Sequence, residues 1–136
     1  MKVYLSGGIY ANDKEATESW RNEATKELQS VGIEIITPCR RRAIYDPSIF
    51  TTAEIVTRDK QDINNADLIL INGNFEDDHL GIGTWCEMEY AYSLSKPIVI
   101  VSRDLRVLRH PWTQHYAVKF FSTIKDACDY IRIFWS

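Results

Sequence analysis

The chain has 136 residues, of which 45% are hydrophobic and 26% are charged, and its formal net charge is −3. This length and composition are typical of one globular domain, so we predict a single domain over residues 1–136. The slight acidic excess gives no basic field for a nucleic-acid polymer, and no apolar run reaches the roughly 20 residues that a membrane span needs.

The first half of the chain alternates short apolar runs, typical of buried strands, with longer stretches of helical periodicity. Asp13 is a capping residue and Gly32 a stop signal for the first helix, whose predicted inner face carries Trp20, Ala24, Leu28 and Val31. The sequence T-T-A-E at 51–54 is a capping box that opens the second helix. The predicted elements are a strand at 3–6, a helix from Asp13 to about Val31, a strand at 33–36, a polar loop at 39–50 and a helix from 51 to about Asn64.

The second half repeats this alternation of strands and helices. Its predicted elements are a strand at 67–71, a long loop NGNFEDDHLGIG, a helix from about Thr84 to Ser95, strands at 97–101 and 118–121, and a helix from about Thr123 to Phe134. Alternation of this kind forms right-handed βαβ units. We therefore predict an α/β fold, a single-domain three-layer sandwich with a five-stranded, mostly parallel sheet of flavodoxin-like or Rossmann-like type. Such sheets bind ligands at the carboxyl ends of their strands, where the strand order reverses.

Asp59 stands where an apolar side chain is expected. Ile55, Asp59 and Ile63 follow one another at intervals of four residues and share a helix face. A carboxylate between two buried apolar side chains needs a partner or a pocket, because burying a bare charge is costly. Asp59 is therefore either paired with Arg58, Lys60 or a backbone group near the sheet edge, or it is a functional acid.

Glu87 has two interpretations as well. Thr84 and Glu87 fit the S/T-x-x-E capping box, and in the predicted first turn the helix dipole favours an ionised carboxylate. An ionised carboxylate beside a pocket is equally suited to attack an electrophile. The position of Glu87 alone does not choose between a helix cap and a nucleophile.

Five segments, taken together, resemble the nucleoside 2-deoxyribosyltransferase family, which includes related nucleoside 5′-monophosphate N-glycosidases. They are K-V-Y-L-S-G-G-I at 2–9, R-D-K-Q-D-I-N-N-A-D at 58–67, G-T-W-C-E-M-E-Y-A at 83–91, K-P-I-V-I-V at 96–101 and H-P at 110–111. The resemblance covers nearly the whole chain. It implies a parallel α/β sandwich that cleaves the N-glycosidic bond of a 2′-deoxynucleoside with retention and transfers the deoxyribosyl group to another nucleobase. It implies no metal and no organic cofactor.

The resemblance also implies a role for individual residues. Glu87 matches the nucleophile that attacks the anomeric carbon, Tyr4 the residue that orients it, and Asp59 the acid that exchanges a proton with the base. Asp67 matches the family pattern too, but it opens a strand and we expect it to be structural. The matching substrate-binding positions are Gly7, Gly8, Ile9, Tyr10, Gly81, Gly83, Thr84, Arg109 and His110.

Departures from the family pattern bear on the substrate. Gly81 stands where members often carry Asp or Ser to bind the sugar or a phosphate. Asp77, Asp78 or His79 of the same loop could substitute, or this stretch, FEDDH, is a solvated acidic tip. Gly8 and Tyr10 stand where the nucleotide-hydrolysing branch has Ser and Arg for the 5′-phosphate, which disfavours a monophosphate, and Tyr10 could stack on the base.

Other cations would suit a phosphate. Arg109 and His110 fall where the family places a residue that reaches the site of a neighbouring subunit. Arg40, Arg41 and Arg42 are a second possible anion site or, alternatively, a solvated basic loop.

The favoured hypothesis is a deoxyribosyltransferase whose partners are a small-molecule nucleoside or nucleotide and a nucleobase, in a homo-oligomer with shared sites. The aromatic tail, with Phe134 and Trp135, fits such an oligomer or packs on its own sheet. The alternatives are a (deoxy)nucleoside 5′-monophosphate N-glycosidase and a non-catalytic nucleotide-derivative binding module. Three separated cysteines without a C-x-x-C and an N-terminus without a signal peptide predict a cytoplasmic location.

Overall fold

The computed structural model describes residues 1–40 and 48–136. One five-stranded sheet with the order β2-β1-β3-β4-β5 has every neighbouring pair of strands parallel. This confirms the predicted α/β sandwich. The elements are β1 (Lys2–Ser6), α1 (Lys14–Gln29), β2 (Glu34–Ile36), α2 (Thr52–Asn65), β3 (Leu68–Asn72), α3 (Ile82–Ser93), β4 (Ile98–Val101), α4 (Leu105–Leu108), α5 (Pro111–Tyr116), β5 (Lys119–Phe121) and α6 (Ile124–Tyr130), which continues into a π-helical turn, Ile131–Trp135.

The central strands bury both faces of the sheet. Along β1, Val3 and Leu5 join the core layer formed with α1 and α6, whereas Tyr4 joins the opposite layer with Ile63 of α2 and Met88 of α3. Side chains alternate along a strand, so one strand contributes to both layers. The helices that carry Asp59 and Glu87 therefore lie on the same side of the sheet as Tyr4.

The reversal of strand order lies between β1 and β3. From β1 the chain moves outward to β2, then crosses back to place β3 on the other side of β1. The two strands end level with each other, since Ser6 pairs with Ile71. This is the edge at which sheets of this type bind ligands.

The start of α3 differs from the prediction. The helix begins at Ile82, after Gly81 at φ 67°, and no side chain of the described residues caps it. A Cβ at Gly81 would lie 2.3 Å from Phe75 Cζ. The boundary is therefore set by a left-handed glycine packed under an aromatic ring. The Thr84–Glu87 capping box is wrong, whereas the Thr51–Glu54 box is confirmed at both of its hydrogen bonds, 3.1 and 3.2 Å.

Three further boundaries differ from the prediction. The segment between β4 and β5 contains α4 and α5, which are too short to show helical periodicity. Helix α1 ends before Val31, which is exposed. The last helix is α-helical only to Tyr130, on which the exposed Phe134 stacks, while Trp135 packs against the core.

Within residues 1–40 and 48–136, no helix is long and apolar enough to cross a membrane.

Candidate active site

Two side chains of β1 converge on Glu87. Tyr4 and Ser6 are two residues apart, so they point to the same face of the sheet, and both are fully buried. The Tyr4 hydroxyl donates a hydrogen bond to Glu87 Oε2, and the Ser6 hydroxyl donates one to Glu87 Oε1 at 3.1 Å. Both carboxyl oxygens of Glu87 are therefore held at the end of β1, next to the point where strand order reverses.

The environment of Glu87 favours its neutral form. Burial raises its pKa to about 7, and the negative charge of Asp59 adds to the rise, while the hydrogen bonds from Tyr4 and Ser6 and the Arg21 cation lower it. The expectation that the helix dipole keeps Glu87 ionised is wrong. Because α3 begins two residues earlier than predicted, Glu87 lies in the second turn, beyond the reach of the dipole's main effect.

Tyr4 is a stable hydrogen-bond donor. Burial raises its pKa well above the usual range, and the charges of Glu87 and Asp59 raise it further. The hydroxyl is therefore protonated around neutral pH and donates to the carboxyl oxygen of Glu87.

Asp59 lies on α2, close enough to raise the pKa of both Glu87 and Tyr4. Its Oδ1 is buried and has no hydrogen-bond partner among the described residues. Arg58 Nη2 lies 3.9 Å from that oxygen, beyond hydrogen-bond distance, and donates instead to the Pro38 carbonyl at 2.8 Å. The ion pair between Arg58 and Asp59, one of the alternatives from the sequence, is therefore only a long contact. Burial raises the pKa of Asp59 to about 6, against the opposing charge of Arg58.

A buried arginine holds the first loop. Arg21 of α1 donates to the carbonyl of Gly7 at 2.9 Å and to that of Gly8 at 3.1 Å. A Cβ at Gly7 would lie 2.6 Å from Trp20 Cζ2, so the loop packs directly on α1. Ile9 follows, half-buried. Arg21 belongs to no recognisable motif, so sequence reasoning missed it.

A row of aromatic rings extends from the first loop to α3. Tyr10 meets His79 edge-on at 4.9 Å, His79 stacks on Phe75 at 5.7 Å, and Phe75 meets Trp85 edge-on at 5.7 Å. The Tyr10 hydroxyl accepts a hydrogen bond from the Glu76 N–H at 2.9 Å. Tyr10 is therefore already packed and tethered, and its stacking on a nucleobase stays a prediction.

The other predicted binding residues are more scattered. Gly81 and Thr84 are buried at the start of α3. Gly83 is exposed, and a Cβ there would meet no atom of residues 1–40 or 48–136 within 4 Å. Arg109 is exposed, and His110 caps α5, its Nδ1 accepting from the Trp112 N–H at 3.2 Å. His110 lines a groove of about 880 Å³ beside α3, the α3 groove, which does not include Glu87.

Asp67 and Arg40 both have partners within the protein. Asp67 Oδ2 accepts a hydrogen bond from the Lys2 N–H at 2.8 Å, which confirms that Asp67 is structural. Arg40 pairs with Asp62 through contacts of 2.6 and 3.2 Å. Arg41 and Arg42 lie outside the described residues, as does most of the 39–50 loop.

The fold and the site together define an α/β domain with two acids on one side of the sheet, near its point of strand reversal. The family model for nucleoside 2-deoxyribosyltransferase matches residues 3–127. The chain therefore belongs to the nucleoside 2-deoxyribosyltransferase family. This membership supports an enzyme that acts on small nucleosides or nucleotides, as a deoxyribosyltransferase or an N-glycosidase.

Solved structures show the same fold. A 2-deoxyribosyltransferase from Bacillus psychrosaccharolyticus has a TM-score of 0.73 at 19% identity, over 96% of this chain and 92% of that one. A conserved protein from Enterococcus faecalis V583 has 0.72 at 16%, over 97% of both chains. The CMP N-glycosidase BcmB from Clostridium botulinum has 0.63 at 14%, over 98% and 100%. No curated protein matches the chain.

Proposed function

We propose that the protein is an N-deoxyribosyltransferase that exchanges the base of 2′-deoxynucleosides. The observation that carries this proposal is the double anchoring of Glu87 by Tyr4 and Ser6, with Asp59 close by. A fixed carboxylate is a suitable nucleophile for a glycosidic carbon, and a second carboxyl group is the usual proton donor to the leaving group.

In the first half of the reaction, ionised Glu87 attacks the anomeric carbon of the deoxyribose. The bond between that carbon and the base nitrogen breaks, and its electron pair leaves with the base. Protonated Asp59 gives its proton to the departing base. The product is a glycosyl ester on Glu87.

In the second half, Asp59 accepts a proton from the incoming base, whose nitrogen attacks the same carbon. The ester bond breaks and the Glu87 carboxylate is restored. Two inversions give net retention of configuration. The raised pKa of Asp59, about 6, suits this exchange, because a proton is transferred best by a group whose pKa lies near the working pH.

The first loop favours a nucleoside over a nucleotide as substrate. Its nearby cation, Arg21, is buried and already binds the carbonyls of Gly7 and Gly8. At the positions matching the phosphate-binding Ser and Arg of the hydrolase branch, the chain has Gly8 and Tyr10. A 5′-phosphate would therefore have to find its counter-charge elsewhere.

A 5′-monophosphate N-glycosidase is the second candidate. Arg109 and His110 are exposed on the segment between β4 and β5. If either side chain lies next to the 5′ end of a substrate, its positive charge would bind a 5′-phosphate well.

We also propose a homo-oligomer with shared sites. Leu80, Ile82 and Trp112 line the α3 groove with exposures of 74%, 67% and 57%. Exposed apolar side chains gathered in one groove are typical of an interaction surface. A second copy seated there would lie beside Arg109 and His110.

The three free cysteines, Cys39, Cys86 and Cys128, support the expectation of a cytoplasmic location.

A base-exchange assay tests the proposed function. Purified protein is incubated with a deoxynucleoside or its 5′-monophosphate, with and without an acceptor base, and products are separated by chromatography. We expect a new deoxynucleoside that depends on the acceptor, and its loss in Glu87→Ala but not in Glu23→Ala, which removes an exposed glutamate of α1. Release of free sugar that the acceptor does not suppress would instead identify a hydrolase.

A further inference from the structure

Ser6 is the second anchor of Glu87. It is the last residue of β1, fully buried, and its backbone position is fixed by pairing with Ile71 of β3. A serine hydroxyl has one proton to donate, and here it is directed to Glu87 Oε1 at 3.1 Å. The hydroxyl is therefore placed by a rigid strand and committed to one carboxyl oxygen.

We infer that Ser6 is a positioning residue that sets the plane of the Glu87 carboxylate for attack, an inference that rests on the proposed function. The terminal torsion of a glutamate is broad and only weakly preferred. A single hydrogen bond, such as the one from Tyr4 to Oε2, tolerates a range of angles and so leaves the carboxylate plane some freedom to rotate. A second hydrogen bond to the other oxygen, from a residue of the same strand, removes that freedom.

Ser6 also acts on the charge of Glu87. The groups that face this carboxyl are Tyr4 and Ser6 from β1, Asp59 from α2 and Arg21 from α1. Asp59 disfavours the ionised form, whereas the two hydroxyls and Arg21 favour it. Removing the Ser6 hydroxyl therefore raises the pKa of Glu87 above its value of about 7 and lowers the fraction of enzyme with an ionised nucleophile.

The chain offers a matched control. Ser102, directly after β4, is also a buried serine, and its hydroxyl donates to the Gly73 carbonyl at 3.0 Å. The same hydroxyl accepts a hydrogen bond from the Asp104 N–H at 3.1 Å, so Ser102→Ala removes a buried hydroxyl and two hydrogen bonds of similar length without touching Glu87. Any effect of Ser6→Ala that Ser102→Ala lacks is specific to the nucleophile.

The test compares kcat/KM against pH for wild type, Ser6→Ala, Ser6→Thr and Ser102→Ala. Since Glu87 has the higher pKa of the two acids, its titration forms the alkaline limb. A hydrogen bond to a charged group is worth enough that we expect kcat to fall about 10- to 100-fold in Ser6→Ala, with the alkaline limb moved to higher pH and KM little changed. Ser6→Thr keeps the hydroxyl and should recover most of kcat, and Ser102→Ala should keep the wild-type limb.

A second measurement does not depend on turnover. The carboxyl carbon of Glu87 is titrated by ¹³C NMR in wild type and Ser6→Ala, with thermal denaturation confirming that both are folded. We expect the Ser6→Ala titration at higher pH. Superimposable titrations would overturn the inference. Absence of base exchange in wild type would overturn the proposed function while leaving this comparison intact.

Discussion

Glu87 and Asp59 present an electrostatic conflict that the proposed reaction has to resolve. The chemistry needs Glu87 ionised and Asp59 protonated, yet burial raises the pKa of Glu87 to about 7 and that of Asp59 only to about 6. Near neutral pH the two acids therefore titrate as a coupled pair that shares one proton. The proposed reaction uses the arrangement with that proton on Asp59.

This order of pKa values predicts a narrow pH optimum. Below pH about 6 Asp59 is protonated but so is Glu87, and above pH about 7 Glu87 is ionised but Asp59 has lost its proton. We expect kcat/KM to be highest between these values and to fall about tenfold per pH unit on either side, because each limb reports one proton of a coupled pair. A profile measured from pH 4 to 9 checks this, and a plateau that continues to pH 9 would contradict it.

The raised pKa of Glu87 also has a consequence for stability. Its folded-state pKa of about 7 lies above its ordinary value of 4.5, so the folded protein binds more protons and loses stability as the pH rises through this window. Glu87→Gln has no charge to bury. We expect it to be more stable than wild type at pH 8, by on the order of 1–3 kcal/mol, and the gain to shrink towards pH 4.5.

Urea unfolding of Glu87→Gln, with Glu23→Gln as a control for an exposed glutamate, measures this difference. Equal stability of Glu87→Gln and wild type at pH 8 would show that the carboxyl is well solvated and that its pKa is ordinary.

Among the elements, α3 shows where sequence patterns lose their predictive value. Periodicity and buried apolar runs located the five strands and the three long helices of the described residues. A long element that buries one face repeats its apolar residues at a regular spacing, and this spacing can be read from the sequence. The start of α3 depends instead on Gly81 and the ring of Phe75, a contact between residues that no periodic pattern records. Helices α4 and α5 have four and six residues, too few for a period to repeat.

The site was predictable in a similarly uneven way. The family resemblance pointed to Tyr4, Asp59 and Glu87 as candidates. Ser6 was missed, although alternation along β1 puts it on the same face as Tyr4, because a serine at the end of a strand carries no signal of its own. Arg21 could not be found, because its partners are backbone carbonyls that the sequence does not display.

The two glycines at the start of α3, Gly81 and Gly83, allow a matched pair of alanine variants. Gly81→Ala forces a side chain into φ 67° and against Phe75, so we expect a loss of at least about 1–2 kcal/mol in the free energy of unfolding. Gly83→Ala, two residues on, lies within the helix with open space around its Cβ, and should leave stability unchanged or raise it by up to about 1 kcal/mol. Urea denaturation measures both. Equal stabilities would show that Gly81 is not what sets the helix start.

At the scale of the whole molecule, the proposed homo-oligomer places its interface at the α3 groove. A charge at Ile82 should be tolerated by a single copy, because that side chain is 67% exposed, but not within an apolar interface. We expect wild type to sediment as an oligomer and Ile82→Asp to sediment as a smaller species. Val56→Asp, at a 53% exposed position on α2 outside the groove, should keep the wild-type state. Unchanged sedimentation of Ile82→Asp would place any interface elsewhere.

Covalent capture of the nucleophile is the decisive measurement. A 2-fluoro-deoxynucleoside, given without an acceptor base, should leave its fluorinated sugar on the protein, and mass spectrometry of peptides should locate the added mass on Glu87. Glu87→Gln, which keeps the shape of the side chain, should remain unlabelled. Base exchange that proceeds at the wild-type rate in Glu87→Gln, or a sugar attached to any other side chain, would contradict the role given to this carboxylate.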